Sequence, residues 1–240
     1  MNETLILDGR LRCRQPAEGY RFAVDSLLLA WFVLQRRGRP GGGHGLELGG
    51  GCGVVSAILL AGEGVDSADL VELQELHHRA AMETAVMNGL TDRMRCHHRD
   101  LRDLAPGDLP RRPDAIWSNP PFHPLGAGRI PPDGAEAMAR HEVSATMDDV
   151  LDAASRLLPS RGFLYLTYPA SRLGELLVRL PRRRFAPTRL VLAWGDPTED
   201  ASRLLLEARK GVETPLTVGP AITMDGSWLK ELGADLDATC

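Results

Sequence analysis

From Gly45 onward, short apolar runs alternate with longer stretches patterned at the helical period, and this rhythm narrows the architecture more than any other feature of the chain. His44 to Leu48, Ala68 to Glu72, Met94 to His98, Asp114 to Ser118 and Gly162 to Thr167 read as strands. Val54 to Leu60, Gln74 to Met87, Met147 to Leu158 and Ser171 to Leu180 read as the helices between them. Asn88-Gly89 supplies a C-cap, and Asp148 and Asp149 suit the first turn of their helix. Strands joined through helices pair in parallel. Arg189 to Trp194 and Arg203 to Ala208 break the rhythm: only the turn-rich Gly195 to Ala201 separates them, so they should form an antiparallel hairpin at one edge. The expected fold is α/β, a mostly parallel sheet ending in that hairpin. Ahead of it, Leu5 to Arg14 reads as a strand or hairpin arm, and Val24 to Gln35 as an amphipathic helix with Asp25 or Ser26 as candidate caps.

Composition removes several alternatives. The 240 residues are 43% hydrophobic and 25% charged, which excludes disordered, collagen-like and disulfide-scaffold chains. No apolar run approaches the ~18 residues of a membrane helix, and Met1 to Arg14 lacks the layout of a signal peptide, so a cytoplasmic, membrane-free protein is expected. Cys13, Cys52, Cys96 and Cys240 are scattered without zinc spacing. His77-His78 and His97-His98 are adjacent pairs that point different ways, so no metal is expected. With a net charge of −4, a nucleic-acid partner needs a local basic patch. Arg10, Arg12 and Arg14 would share one side of a strand and are the best phosphate track; Arg111-Arg112, Arg182 to Arg184, and Arg36, Arg37 and Arg39 are further candidates.

Two constellations carry chemistry. Glu47-Leu48-Gly49-Gly50-Gly51-Cys52-Gly53 is a glycine-rich turn between strand and helix, followed by Glu72 at the end of the next strand. In doubly wound sheets that turn lets the backbone approach a ligand, and an acid ~20 residues on grips ribose hydroxyls, which points to a nucleoside-containing cofactor. Asn119-Pro120-Pro121-Phe122 leaves the strand Asp114 to Ser118. Proline removes backbone donors, so this turn presents carbonyl acceptors together with the Asn119 side-chain oxygen, and a planar amino group can donate both its hydrogens there. Phe122 offers a face for a base to stack on. The segment Asn119 to Arg140, rich in proline and glycine, fits no regular element and reads as a substrate loop or lid.

The glycine turn, Glu72, Asp100 and the Asn-Pro-Pro-Phe turn together resemble class I S-adenosylmethionine-dependent methyltransferases that modify exocyclic or amide nitrogens, over about Gly45 to Ala208. Gly19-Tyr20-Arg21-Phe22-Ala23-Val24-Asp25-Ser26-Leu27-Leu28-Leu29-Ala30, Ala139-Arg140-His141-Glu142 and the distal hairpin extend a narrower resemblance, to bacterial tRNA(Val) adenine N6-methyltransferases acting beside the anticodon. The resemblance implies a Rossmann-like, seven-stranded sheet, S-adenosylmethionine as methyl donor with S-adenosylhomocysteine as product, and tRNA as substrate. It implies a single unit over 44–240 with residues 1–43 as a substrate-side cap, and no obligate protein partner. Tyr20, Phe22 and Asp25 would then lie near the methionine end of the cofactor. Gly49, Gly51 and Gly53 would line its methionyl and ribose portion, and Glu47 would hold its amino group through water. Glu72 would accept both ribose hydroxyls with Leu73 beside it, Asp100 and Leu101 would face the adenine, and Asn119 with Pro120, Pro121 and Phe122 would present the target amine. Phe122 stands where tyrosine is frequent, and His123 follows as in some ribosomal-RNA guanine N2-methyltransferases. Guanine N2 of ribosomal RNA and a release-factor glutamine therefore stay as alternative targets. The glutamine enzymes carry a helical N-terminal domain that 44 residues cannot build.

Overall fold

The computed structural model describes residues 1–16, 24–35, 43–120 and 145–237. A two-stranded hairpin, β1 (Asn2–Ile6) and β2 (Leu11–Gln15), precedes helix α1 (Val24–Leu34). Then β3 (His44–Leu48), α2 (Val54–Ala61), β4 (Ser67–Glu72), α3 (Glu75–Met87), β5 (Met94–His98) and β6 (Ala115–Ser118) alternate. Helix α4 (Met147–Leu157), β7 (Phe163–Pro169), α5 (Leu173–Arg182), β8 (Phe185–Trp194) and β9 (Arg203–Lys210) follow. The described chain closes with β10 (Thr217–Val218), β11 (Ile222–Thr223) and α6 (Ser227–Asp237).

The main sheet has nine strands, in the order β10-β8-β9-β7-β6-β3-β4-β5 with β11 also on β8. β3 to β7 are mutually parallel, and β9 inserts antiparallel between β7 and β8. The expected α/β sheet and its hairpin are present, with one correction. The hairpin is not the edge, because β10 and β11 add to β8 in parallel. Two-residue strands are too short to show any period-two pattern, so the sequence carries no signal for them.

Helices cover both faces. Leu28, Phe32, Ile58, Leu59 and Ala81 pack one side, and Leu151, Leu157, Leu176 and Leu180 the other, all fully buried. Strand alternation sends Leu46 and Leu48 to the second face and Glu47 to the first. At Gly45 a Cβ would lie 2.0 Å from the Trp117 ring, so only glycine lets that indole cross β3. α4 starts with a capping box missed in the sequence: the Thr146 hydroxyl accepts from Asp149 N at 3.2 Å and the Asp149 carboxylate accepts from Thr146 N at 2.8 Å.

The N-terminal hairpin docks on helix side chains. Asn88 accepts from Arg12 N at 3.0 Å and donates to Arg12 O at 2.7 Å, while the Thr84 hydroxyl accepts from Arg14 N at 3.0 Å. Side chains of α3 and its cap thus serve β2 as a neighbouring strand would, and they carry Gln15 and Pro16 to the C-terminal end of the sheet. The expected phosphate track is corrected here. Arg10 meets Asp8 at 3.4 Å, Arg12 meets Glu3 at 2.7 Å and Arg14 meets Glu83 at 2.7 Å, so all three charges are matched within the chain.

Candidate active site at the glycine turn

The glycine turn folds back over the end of β4. Gly49 N and Gly50 N both donate to Val71 O, at 3.0 and 3.2 Å. Glu72 binds the turn from below: one carboxylate oxygen accepts from Gly51 N and the other from Gln74 N, each at 2.8 Å. The glycines divide by role. Gly49 and Gly51 have φ of +69° and +55°, and a Cβ on either would meet nothing within 4 Å. Their backbone therefore borders open space. At Gly50 a Cβ would lie 2.3 Å from Leu70, and at Gly53 2.4 Å from Met94, so these two permit close packing of the turn on the core. Gly53 does not line the cleft; it caps α2 at φ +77°.

Glu47, the penultimate residue of β3, is buried with its carboxylate accepting from Ser56 N at 3.0 Å and from the Ser56 hydroxyl. Burial pushes its pKa up to about 7, with the Ser56 hydrogen bonds opposing the shift. The ion pair that a buried carboxylate normally takes is missing among the described residues. Asn119 leaves β6 into the same space. Its amide nitrogen donates to the Ser26 hydroxyl of α1 at 3.1 Å, which turns Oδ1 away, and that buried oxygen has no partner among the described residues. One helical position earlier, Asp25 accepts from Arg203 Nε at 2.9 Å, fastening the start of α1 to β9.

These groups line an open cleft at the C-terminal end of the parallel strands. Its walls are Gln15, Pro16, Ser26, Glu47, Gly49, Gly50, Gly51, Cys52, Val54, His77 and Asn119. Of the sequence candidates, Glu47, Gly49, Gly51 and Asn119 converge here, with Glu72 directly beneath. Leu73 and Pro120 follow Glu72 and Asn119 in the chain without lining the cleft. Asp100 and Leu101 are also outside it: Asp100 caps the turn Leu101–Asp103 by accepting from Arg102 N, and Leu101 packs in the second core. Tyr20, Phe22, Pro121, Phe122 and the rest of the proposed lid lie outside the described residues.

Ser26, Gln15 and His77 are wall residues that sequence reasoning missed. Ser26 had a signal, its place beside Asp25; Gln15 had none. His77 and His78 do diverge: the first meets Gln74 Oε1 at 3.1 Å and the second Cys96 O at 3.2 Å. Among the described residues no group of three or more His, Cys, Asp or Glu has the arrangement of a metal site. Burial raises the thiols of Cys52 and Cys96 to about 12, so neither is a thiolate near neutral pH. No helix among these residues is long and apolar enough to cross a membrane.

Comparison with known proteins agrees with this geometry. Curated relatives include a tRNA1(Val) (adenine(37)-N6)-methyltransferase of Porphyromonas gingivalis, 29% identical over 79% of this chain and 74% of its own length. One of the same description from Aeromonas hydrophila is 31% identical over 65% of this chain and 63% of its own. Among solved structures, a predicted O-methyltransferase of Agrobacterium tumefaciens superposes with a TM-score of 0.65 at 21% identity, covering 88% of this chain and 96% of that one. A 16S rRNA N2 G1207 methyltransferase of T. thermophilus in complex with AdoMet and guanosine gives 0.57 at 21% identity, over 87% of this chain and 50% of that one. The profile of the methyltransferase small domain matches residues 26–166, and with the glycine turn, Glu72 beneath it and the sheet order in place, the chain belongs to that family, S-adenosylmethionine-dependent methyltransferases of class I.

Proposed function

We propose that this enzyme methylates the exocyclic N6 of an adenine in tRNA, the favoured target being the adenine beside the anticodon of a valine tRNA, in the cytoplasm. The observation that carries the reading is Asn119: a buried amide oxygen without a donor, held in that orientation by Ser26. An unsatisfied buried acceptor costs about 1–3 kcal/mol, and a ligand donating to it at the cleft would recover that cost. Pro120 adds a carbonyl without a competing N–H on its own residue. A planar amine has two hydrogens to give to these two acceptors, which leaves its nitrogen facing the methyl donor. The relatives' descriptions support adenine in tRNA as the carrier of that amine.

The residues around the cleft fit S-adenosylmethionine. Gly49 and Gly51 leave room for its methionyl and ribose part, Glu72 keeps lone pairs for the ribose hydroxyls beyond those given to Gly51 and Gln74, and ionised Glu47 is matched to its ammonium. When bound, it supplies a methyl group already activated by a sulfonium. The chain's own contribution is orientation and electrostatics. Asn119 and Pro120 draw on the amino hydrogens and raise electron density on nitrogen. The bound cofactor would supply the methyl to that nitrogen, with its sulfonium sulfur as leaving group, and the surplus proton would leave to solvent. The base must be flipped out to reach the turn, which is cheapest in a loop. In this reading residues 1–43 form the substrate-side cap, with Tyr20, Phe22 and Asp25 toward the methionine end, Pro121 and Phe122 completing the base-holding turn, and Asp100 with Leu101 on the adenine side.

The test is labelled-methyl transfer to total tRNA, ribosomal RNA and protein extract, followed by mass spectrometry of nucleosides and amino acids. N6-methyladenosine recovered from tRNA is expected. Label at guanine N2 of ribosomal RNA, or on a protein glutamine, overturns the assigned target.

A further inference from the structure

The arginines fall into two populations. Around the cleft and on the helical faces several are matched to acids: Arg14 to Glu83, Arg203 to Asp25, Arg102 to Asp100, and Arg183 to both Asp148 and Asp152. At the other end of the sheet five cations have no ion pair among the described residues: Arg112, Arg161, Arg184, Arg209 and Lys210.

Strand ends gather these five. Arg112 precedes β6, Arg161 precedes β7, Arg184 immediately precedes β8, and Arg209 and Lys210 end β9. The Arg209 guanidinium donates to Arg161 O at 3.3 and 3.4 Å while lying 4.6 Å from the Phe163 ring centre. Arg161 N donates to Lys210 O, and Gly211 N to Arg184 O, both at 2.7 Å. The Lys210 ammonium is tied to the carbonyls of Ser155 and Leu158, and Arg112 reaches Leu157 O at 3.4 Å. Burial, then the nearby charges of Arg112 and Arg184, pull Lys210 below the usual lysine range. Arg161 and Arg184 sit at φ of +68° and +63°, a backbone region that disfavours non-glycine residues. Arg112, Arg161 and Arg184 are exposed, and Glu213, three residues past Lys210, is exposed without an ion pair.

We propose that this end of the sheet is a second contact surface for the RNA substrate, gripping backbone phosphates away from the base that enters the cleft. The proposal rests on the RNA reading above. Four of the five cations are arginines, whose planar forks suit phosphate oxygens, and like charges held together without ion pairs among the described residues are stabilised by a polyanion. Arg112 lies before β6 and Asn119 just after it, so the strand's four residues, about 13 Å, and its flanking positions separate the patch from the cleft. A nucleoside or a peptide amide in the cleft does not span that; a folded RNA does.

The experiment compares the whole protein with the variant Arg112→Gln/Arg161→Gln/Arg184→Gln, using bulk tRNA as probe across a salt series. Each lost phosphate contact should lower the log–log slope of affinity against salt by about one, and affinity near 0.15 M salt should fall at least tenfold. Cofactor affinity and methylation of a stem-loop too short to reach the patch should stay within twofold. Arg161→Lys/Arg184→Lys, which keeps the charge, should keep most of the slope and guards against misfolding as the cause. An unchanged slope in the triple variant overturns the proposal, as does competition by polyglutamate equal to that by tRNA, which would assign the surface to an acidic protein. If the slope falls as expected but no RNA accepts methyl, the surface stands and the adenine reading falls.

Discussion

Two buried carboxylates on adjacent strands meet opposite fates. Asp69, on β4 facing the second core, lies between two imidazoles: His44 Nε2 and His97 Nε2 each approach one of its oxygens at 2.6 Å. Burial alone would raise its pKa, but the hydrogen bonds from His44 and His97 outweigh that and hold it below the usual carboxylate range. Glu47, on β3 facing the cleft, is hydrogen-bonded by Ser56 but has no cation among the described residues, and burial pushes it up to about 7. Asp69 is paired from within the chain; Glu47 has no cation among the described residues. The same contrast separates Ser118, whose hydroxyl donates to Leu48 O at 2.7 Å, from the next residue, Asn119, whose oxygen is unpartnered. Among the described residues, Asp69 and Ser118 are closed within the chain, while Glu47 without a cation and the Asn119 oxygen face the cleft.

The comparison breaks most readily at Asp69. Asp69→Ala leaves buried His44 without its acceptor and should cost about 3–5 kcal/mol in urea unfolding, with cofactor affinity of the folded fraction unchanged. A cost below 1 kcal/mol would mean that the imidazole pairing is not what holds this part of the sheet. Because the folded pKa lies below the ordinary 3.8, the stabilisation is present above that value and should fade as pH drops through it toward the folded pKa.

Asn119→Ala is the counterpart on the open side. It should lower kcat by about 10²–10³, with stability and cofactor affinity nearly unchanged, since its oxygen has no partner to lose in the free protein. Equal losses of turnover and of cofactor binding would make the turn structural. Glu72→Gln comes next: replacing one acceptor oxygen by a donor opposes Gly51 N or Gln74 N and should weaken cofactor binding by about 1.5–3 kcal/mol in calorimetry.

The smallest effect concerns the ionisation of Glu47. If its carboxylate meets the cofactor ammonium, affinity should rise severalfold between pH 6 and 8 as the group ionises through about 7, and Glu47→Gln should flatten that profile. The sign for stability is opposite. The unfolded chain ionises Glu47 from about 4.5 upward while the folded protein resists until about 7, so the free enzyme should lose stability across that interval and the variant should not. A flat affinity profile in the parent protein would detach Glu47 from the ammonium.

What the sequence determined by itself was local. Apolar periodicity placed the strands from His44–Leu48 to Phe163–Pro169 to within two or three residues, and the glycines at 49, 51 and 53 announced a turn that each enters with positive φ. The capping box at Thr146 was equally local and was overlooked, and β10, β11 and α6 carried patterns too short or too weak to read. The tertiary structure decided which polar groups find partners. Ser26 meets Asn119 across 93 positions, Asp69 receives imidazoles from 25 residues before and 28 after, and Arg12 and Arg14 are matched while Arg161 and Arg184 are not. Backbone preference and periodicity act over a few residues, so a sequence displays them directly. The pairing of buried polar groups depends on strand order and register, which bring distant segments within 3 Å of each other, and it is there that this protein separates a closed carboxylate from an open one.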